Sequence, residues 1–176
     1  MQAKLKVTRF IRRQVSCLSL LMAVLCSGLS WAADLSELDE LAGGDQASIM
    51  QLGDALQADI SQSGGANRTL LTQTGMANGA QVRQQGVYNQ VYLMQQGEAI
   101  EVSLLQVGAN NSLIATQFGT DLSLDVEQRG NDNQAFVQQS GYDNEVSIYQ
   151  NGSGHGVIVT QWGNAQRASI TQGYRQ

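Results

Sequence analysis

The chain of 176 residues contains no proline. No backbone donor is therefore missing anywhere along it, and an unbroken run of strands is allowed. Cysteine is almost as scarce: Cys17 and Cys26 are the only two, and both stand near the start. Once that segment is removed, no thiol, disulfide or cysteine metal site remains, so backbone ladders and packing must hold the chain. Lysine does not recur after Lys6, and His155 is the single histidine. Asp125 and Glu127 share one strand face as paired carboxylates could, but no histidine, metal cluster or phosphate loop supports them. The chain is not expected to be an enzyme or to hold a cofactor or metal.

The first 32 residues have the organisation of a secretory signal. Lys4, Lys6, Arg9, Arg12 and Arg13 form a basic start, and Val15 to Leu29 is an apolar run too short for a membrane span. Ser30-Trp31-Ala32 offers a cleavage site after Ala32. The large Leu25 before Cys26 argues against lipid anchoring. Cleavage leaves Arg68, Arg83, Arg129, Arg167 and Arg175 against fifteen acids, a net charge of −10. So acidic a chain is not expected to bind nucleic acid, and its charge keeps free copies apart. Residues 33–46 form an acidic leader whose Leu35, Leu38 and Leu41 could mark one face of a short helix.

From Ala47 onward the chain is a lattice. Gln51, Gln62, Gln73, Gln84, Gln95, Gln106, Gln117, Gln128, Gln139, Gln150, Gln161 and Gln172 stand eleven residues apart without a slip. Two residues after each of the first eleven is a glycine: Gly53, Gly64, Gly75, Gly86, Gly97, Gly108, Gly119, Gly130, Gly141, Gly152 and Gly163. A fixed period of this kind marks a repeat architecture. The positions four and two before each Gln are Ala, Val, Ile or Leu, apart from Thr69, and the positions between them are polar or mixed. That alternation predicts half-buried strands with the Gln on the inward side. A helix would carry a glycine every third turn at about 1 kcal/mol each, so the helical reading of an eleven-residue repeat is rejected.

The fifth residue after Gln sets the structural period. It is Asn67, Asn89, Asn111 and Asn133 in alternate units, then His155, and Leu56, Ile100, Leu122 and Gln166 in the others, with Asn78 and Asn144 interrupting the second set. One turn is thus 22 residues, two strands and two arcs, and twelve strands give six rungs. The expected fold is an all-β, cross-β solenoid over residues 47–176, with glycine and asparagine at the arcs supplying positive φ. Stacked rungs bring like side chains about 4.8 Å apart. A glutamate column would repel itself there, whereas glutamine amides can each donate to one neighbour and accept from the next.

Gln62-Ser63-Gly64-Gly65-Ala66-Asn67, with Thr69 and Gln73, and Gln128-Arg129-Gly130-Asn131-Asp132-Asn133, with Ala135 and Gln139, resemble the curlin repeat of bacterial curli fibres. The resemblance covers about three quarters of the chain and is a lattice rather than one motif. It implies a secreted functional-amyloid subunit of a cell-surface fimbrium, exported through periplasm and outer membrane and active in adhesion and biofilm. The acidic leader is similar to that of the minor, nucleating subunit; a major fibre subunit is the alternative. Implied partners are the major curlin subunit, further copies, an outer-membrane curli secretion channel and a surface accessory factor. A different class, a monomeric extracellular β-helix that binds a ligand, would need a uniform outward column. The outward positions include Met50, Arg83, Tyr92, Ile114 and Glu127, which does not supply one. The aromatics Tyr88, Tyr92, Phe118, Phe136, Tyr142, Tyr149 and Trp162 form no single regular column and suit surface packing or fibre bundling better than base stacking.

Overall fold

The computed structural model describes residues 2–8 and 44–173. The apolar run, the cleavage site, most of the acidic leader and residues 174–176 lie outside the described residues. Among the described residues there are thirteen strands: β1 (Gln2–Thr8), β2 (Gln46–Asp54), β3 (Gln57–Gly65), β4 (Arg68–Met76), β5 (Gly79–Val87), β6 (Gln90–Glu98), β7 (Glu101–Ala109), β8 (Ser112–Thr120), β9 (Ser123–Asn131), β10 (Gln134–Tyr142), β11 (Glu145–Ser153), β12 (Gly156–Asn164) and β13 (Arg167–Gly173).

From β2 onward, alternate strands build two parallel sheets. Sheet A runs β3-β5-β7-β9-β11-β13 and sheet B runs β2-β4-β6-β8-β10-β12. Every pairing joins residues 22 apart, as in Gln106 with Gln128 and Gln95 with Gln117. The chain is a β-solenoid of six turns, with one strand of each sheet per turn. The first strand, β1, stands apart: it lies antiparallel on the β3 edge, with Gln2 opposite Ser63 and Thr8 opposite Gln57.

Alternation of side chains across each strand produces the core. In β7, Val102, Leu104 and Gln106 are buried while Glu101 and Ser103 are exposed. Repeated in every turn, this joins Ile60, Leu71, Val82, Val91, Leu104, Leu113, Val126, Val137 and Ile148 into one apolar cluster between the sheets. No rung could bury this face alone, so each turn depends on its neighbours.

The turns differ from the sequence expectation. The strands are mostly nine residues long, and only two residues separate β2 from β3. The glycines expected at the arcs, Gly53 to Gly163, lie inside the strands, near their ends. Their φ values are positive, such as +121° at Gly108, but close approach is the stronger constraint. A Cβ at Gly108 would sit 2.0 Å from the carbonyl oxygen of Gly130 in the next rung. The tight left-handed residue falls two positions later, at Ala55, Ala66, Ala77, Tyr88, Ala99, Asn110, Asp121, Asp132, Asp143 and Ala165, with φ from 52° to 59°. Asn and Asp tolerate this region and Ala does so at some cost. The stack offsets it, since these amides bond to the rung before, as Asn110 N–H does to the Val87 carbonyl at 3.0 Å. The lattice asparagines, from Asn67 to Asn144, are not among the positive-φ residues; they are buried for another reason.

Candidate assembly site

The two sheets place one glutamine column each at the solenoid's centre. In sheet A, Gln62, Gln84, Gln106, Gln128 and Gln150 are buried, and each donates from Nε2 to Oε1 of the glutamine 22 residues later, at 2.7–2.8 Å. The last acceptor is Gln172. In sheet B the column runs Gln51, Gln73, Gln95, Gln117, Gln139, Gln161, with links of 2.6, 2.7, 3.5, 2.8 and 3.0 Å. The second N–H of most of these amides is spent on a carbonyl of the opposite sheet, as from Gln106 to Gln90 at 3.2 Å. Among the described residues no buried side-chain N or O atom lacks a partner. Such satisfaction is what allows a polar file to pass through an apolar core.

The asparagines stand at the two corners where the chain passes between sheets. At the corner after each sheet A strand, Asn67, Asn89, Asn111 and Asn133 are fully buried and stacked. Each Nδ2 donates to Oδ1 of the asparagine 22 residues earlier at 3.0 Å, and that oxygen also accepts the backbone N–H of the later asparagine. Nδ2 further bonds a strand glycine's carbonyl, Asn111 to Gly130 at 2.9 Å. The column has two terminators. Asp45 Oδ1 accepts from Asn67 N–H and Nδ2 at 3.0 and 2.8 Å, and His155 N–H donates to Asn133 Oδ1 at 3.2 Å. Asp45 was read as part of the leader; it occupies the column position of a preceding half-turn. A carboxylate suits that place, because it only accepts and two donors converge on it. Asp45 is five residues after Glu40, where the eleven-residue spacing would put one more unit; that was the available signal.

The other corner is mixed: Leu56, Asn78, Ile100, Leu122, Asn144 and Gln166, of which the first five are buried. Asn78 and Asn144 bond to the Gly97 and Gly163 carbonyls at 3.1 and 2.8 Å, and Asn78 Oδ1 accepts Ile100 N–H at 3.0 Å.

The columns have direction. Glutamine-to-glutamine links run toward the C-terminal end and asparagine-to-asparagine links toward the N-terminal end, while the same asparagine amides also reach a glycine carbonyl of the next rung. Among the described residues, Gln161 and Gln172 each use one N–H on a backbone carbonyl, of Glu145 and Gly156 at 3.1 Å, so the column's final N–H groups lie at the C-terminal end. At the other side the sheet B column begins with Gln51, which donates to Gln73 at 2.6 Å. The last strands in sequence, β12 and β13, have no pairing strand beyond them among the described residues, and neither does β2. Unpaired strands are templates for another chain.

The outward positions separate by sheet. Sheet A shows Asp59, Arg83, Asp125, Glu127 and Arg129, and the Glu127 carboxylate bonds Arg129 and holds its guanidinium above its ordinary pKa. Sheet B has no charged residue at the three central outward positions of any strand. The mixture read from the sequence comes from superimposing two unlike faces.

Comparison with protein-family models gives a match to the curlin associated repeat over residues 45–75, 119–147 and 141–173. Comparison with curated proteins gives no match, and comparison with solved structures gives none.

Proposed function

Since its rungs match the curlin associated repeat, the chain belongs to the curlin family, and from that premise we propose that it is the secreted subunit that nucleates and anchors curli fibres at the cell surface. The observation carrying this reading is the directed column set. The glutamine links run one way, from Gln51 toward Gln161 and from Gln62 toward Gln172, so head-to-tail stacking continues their direction and brings the β12 edge onto the β2 edge of the next copy, whereas the reverse stacking breaks that direction. Further copies and the major curlin subunit, whose repeat has the same glutamine spacing by family resemblance, would extend the ladders without a change of register.

The nucleating role, rather than that of a bulk subunit, is favoured by the acidic leader and by the last unit, which departs from the lattice as Gln172-Gly173. Export follows the basic start and the apolar run to Leu29. Cleavage after Ala32 also removes β1 from the β3 edge that it covers, so sheet A gains its template only after export. The secretion channel and the surface accessory factor are the remaining partners in this reading.

Seeding tests it. Substoichiometric cleaved protein added to the major subunit should abolish the lag before fibre growth, and the Ile170→Pro variant, which spoils the β13 edge, should restore much of it. An unchanged lag with the parent protein would overturn the nucleating role.

A further inference from the structure

The middle of the sheet B face is an uncharged strip of large apolar residues mixed with Thr, Ser and Gln on a strongly acidic chain, with Asp54, Arg68 and Glu98 at the strand ends. Leu70, Tyr92, Ile114, Phe136 and Ile158 fall in direct register on successive strands. Four are exposed, from 39% for Leu70 and Phe136 to 78% for Ile158. A parallel column holds Phe118 and Trp162, 55% and 67% exposed, and a third holds Met50 and Met94. Tyr92 and Phe136 thus share a column, which the sequence alone had not separated out. Beside the first column lies a shallow groove where Ser112, Gln134 and Gly156 leave space next to Ile114, Phe136 and Ile158.

We propose that this face packs against the same face of a second copy, joining two solenoids side by side. Three observations select a second copy over other occupants. Over β8, β10 and β12 the ridge of Ile114, Phe136 and Ile158 runs beside a groove at Ser112, Gln134 and Gly156, an arrangement that complements itself under a two-fold rotation. The rung spacing of any second copy is identical, so side chains interdigitate along the whole stack as in a steric zipper. The central positions of the face are also where two acidic chains approach without opposing charges, whereas those of sheet A would bring Asp59, Asp125 and Glu127 together. Six strands of nine residues cover about 850 Å². A pair of such faces buries about 1,700 Å², the size of a stable specific interface.

The pairing rests on the fibre reading only for its continuation along a filament, and the test separates the two. The full chain, its Ile114→Glu/Phe136→Glu variant and a Ser147→Glu control on sheet A are compared by electron microscopy and sedimentation velocity. The parent and the control should give paired filaments. The double variant should give single filaments that elongate at a rate within about two-fold of the parent's. If filaments fail to form, the fibre reading fails, and sedimentation decides the face: a parent dimer that the double variant converts to monomer upholds the pairing. Single parent filaments, a monomeric parent, or pairing that survives the double variant would overturn it. So would a parent that remains unpaired while co-sedimenting with phosphatidylcholine vesicles, which assigns the face to lipid.

Discussion

Each turn contains the same backbone twice, yet its two halves are finished differently. The half that runs through sheet A ends in the asparagine corner, and its glutamine links are uniform at 2.7–2.8 Å. The half that runs through sheet B ends in the mixed corner, and its links spread from 2.6 to 3.5 Å. The long one, Gln95 to Gln117, lies where Ile100 and Leu122 occupy the corner in consecutive rungs. Glutamine and glycine set the stack; the corner residue sets how evenly neighbouring rungs are tied. An asparagine bonds the rungs on both sides of it, while an isoleucine or leucine contributes burial without direction.

The glycines mark the limit of that contrast, since both halves need them equally. Gly108→Ala in sheet A and Gly97→Ala in sheet B each place a Cβ within 2.0 Å of the next rung's carbonyl oxygen. Both should lose more than about 4 kcal/mol, the range of severe single substitutions. Chemical denaturation would show two comparable losses; a loss at only one position would mean that the two halves do not share one backbone.

A charge in the column comes next. Gln106→Glu cannot donate at neutral pH and turns a carboxylate toward the Gln128 Oε1 and the Gln90 carbonyl that the amide served. A cost of about 3 kcal/mol is expected from the orphaned acceptors and the buried charge. Burial raises the new carboxyl's folded pKa above its unfolded value of about 4.3. The folded state then holds the proton more tightly, so the variant loses stability as pH rises from about 4 and regains it on acidification. Ser103→Glu, outward on the same strand, should shift stability by less than about 0.5 kcal/mol. Equal effects of the two would reverse the inward and outward assignment.

The corner swap sharpens the comparison most finely. Asn111→Leu leaves the Gly130 carbonyl and the N–H and Nδ2 of Asn133 without their present partners. It should cost about 2–3 kcal/mol. Leu122→Asn gives the opposite corner an Oδ1 below Asn144, in the relation that Asn78 has to Ile100, and should cost less than about 1 kcal/mol because the new bonds offset the lost burial. Melting of the two variants measures the difference directly; matched losses would show that the corners are equivalent.

Much of this was legible before any coordinates. The glutamine spacing fixed the register, and the alternation of Asn67, Asn89, Asn111 and Asn133 with Leu56, Ile100 and Leu122 identified a 22-residue turn. The inward set around Leu104 and Gln106 followed from period two. Three features were not legible. Glycine composition cannot distinguish a turn from a close contact between rungs, and Gly108 is placed by the second. The left-handed position is filled by Ala, Tyr, Asn, Asp and, at Gly154, glycine, so no residue type announces it. The outward columns looked disordered because an eleven-residue lattice overlays two sheets. Only when alternate units are separated do Leu70, Tyr92, Ile114, Phe136 and Ile158 fall on one face and Asp59, Arg83, Asp125 and Glu127 on the other.

The central claim is that the directed columns continue from one copy into the next. Helical reconstruction of filaments by electron cryomicroscopy measures this directly. The account predicts a polar filament with one copy per six rungs, about 29 Å of rise. Parallel pairing at every junction, with the glutamine columns in register across it, is also required. Copies meeting end to end about a two-fold axis, or an antiparallel junction, would contradict it.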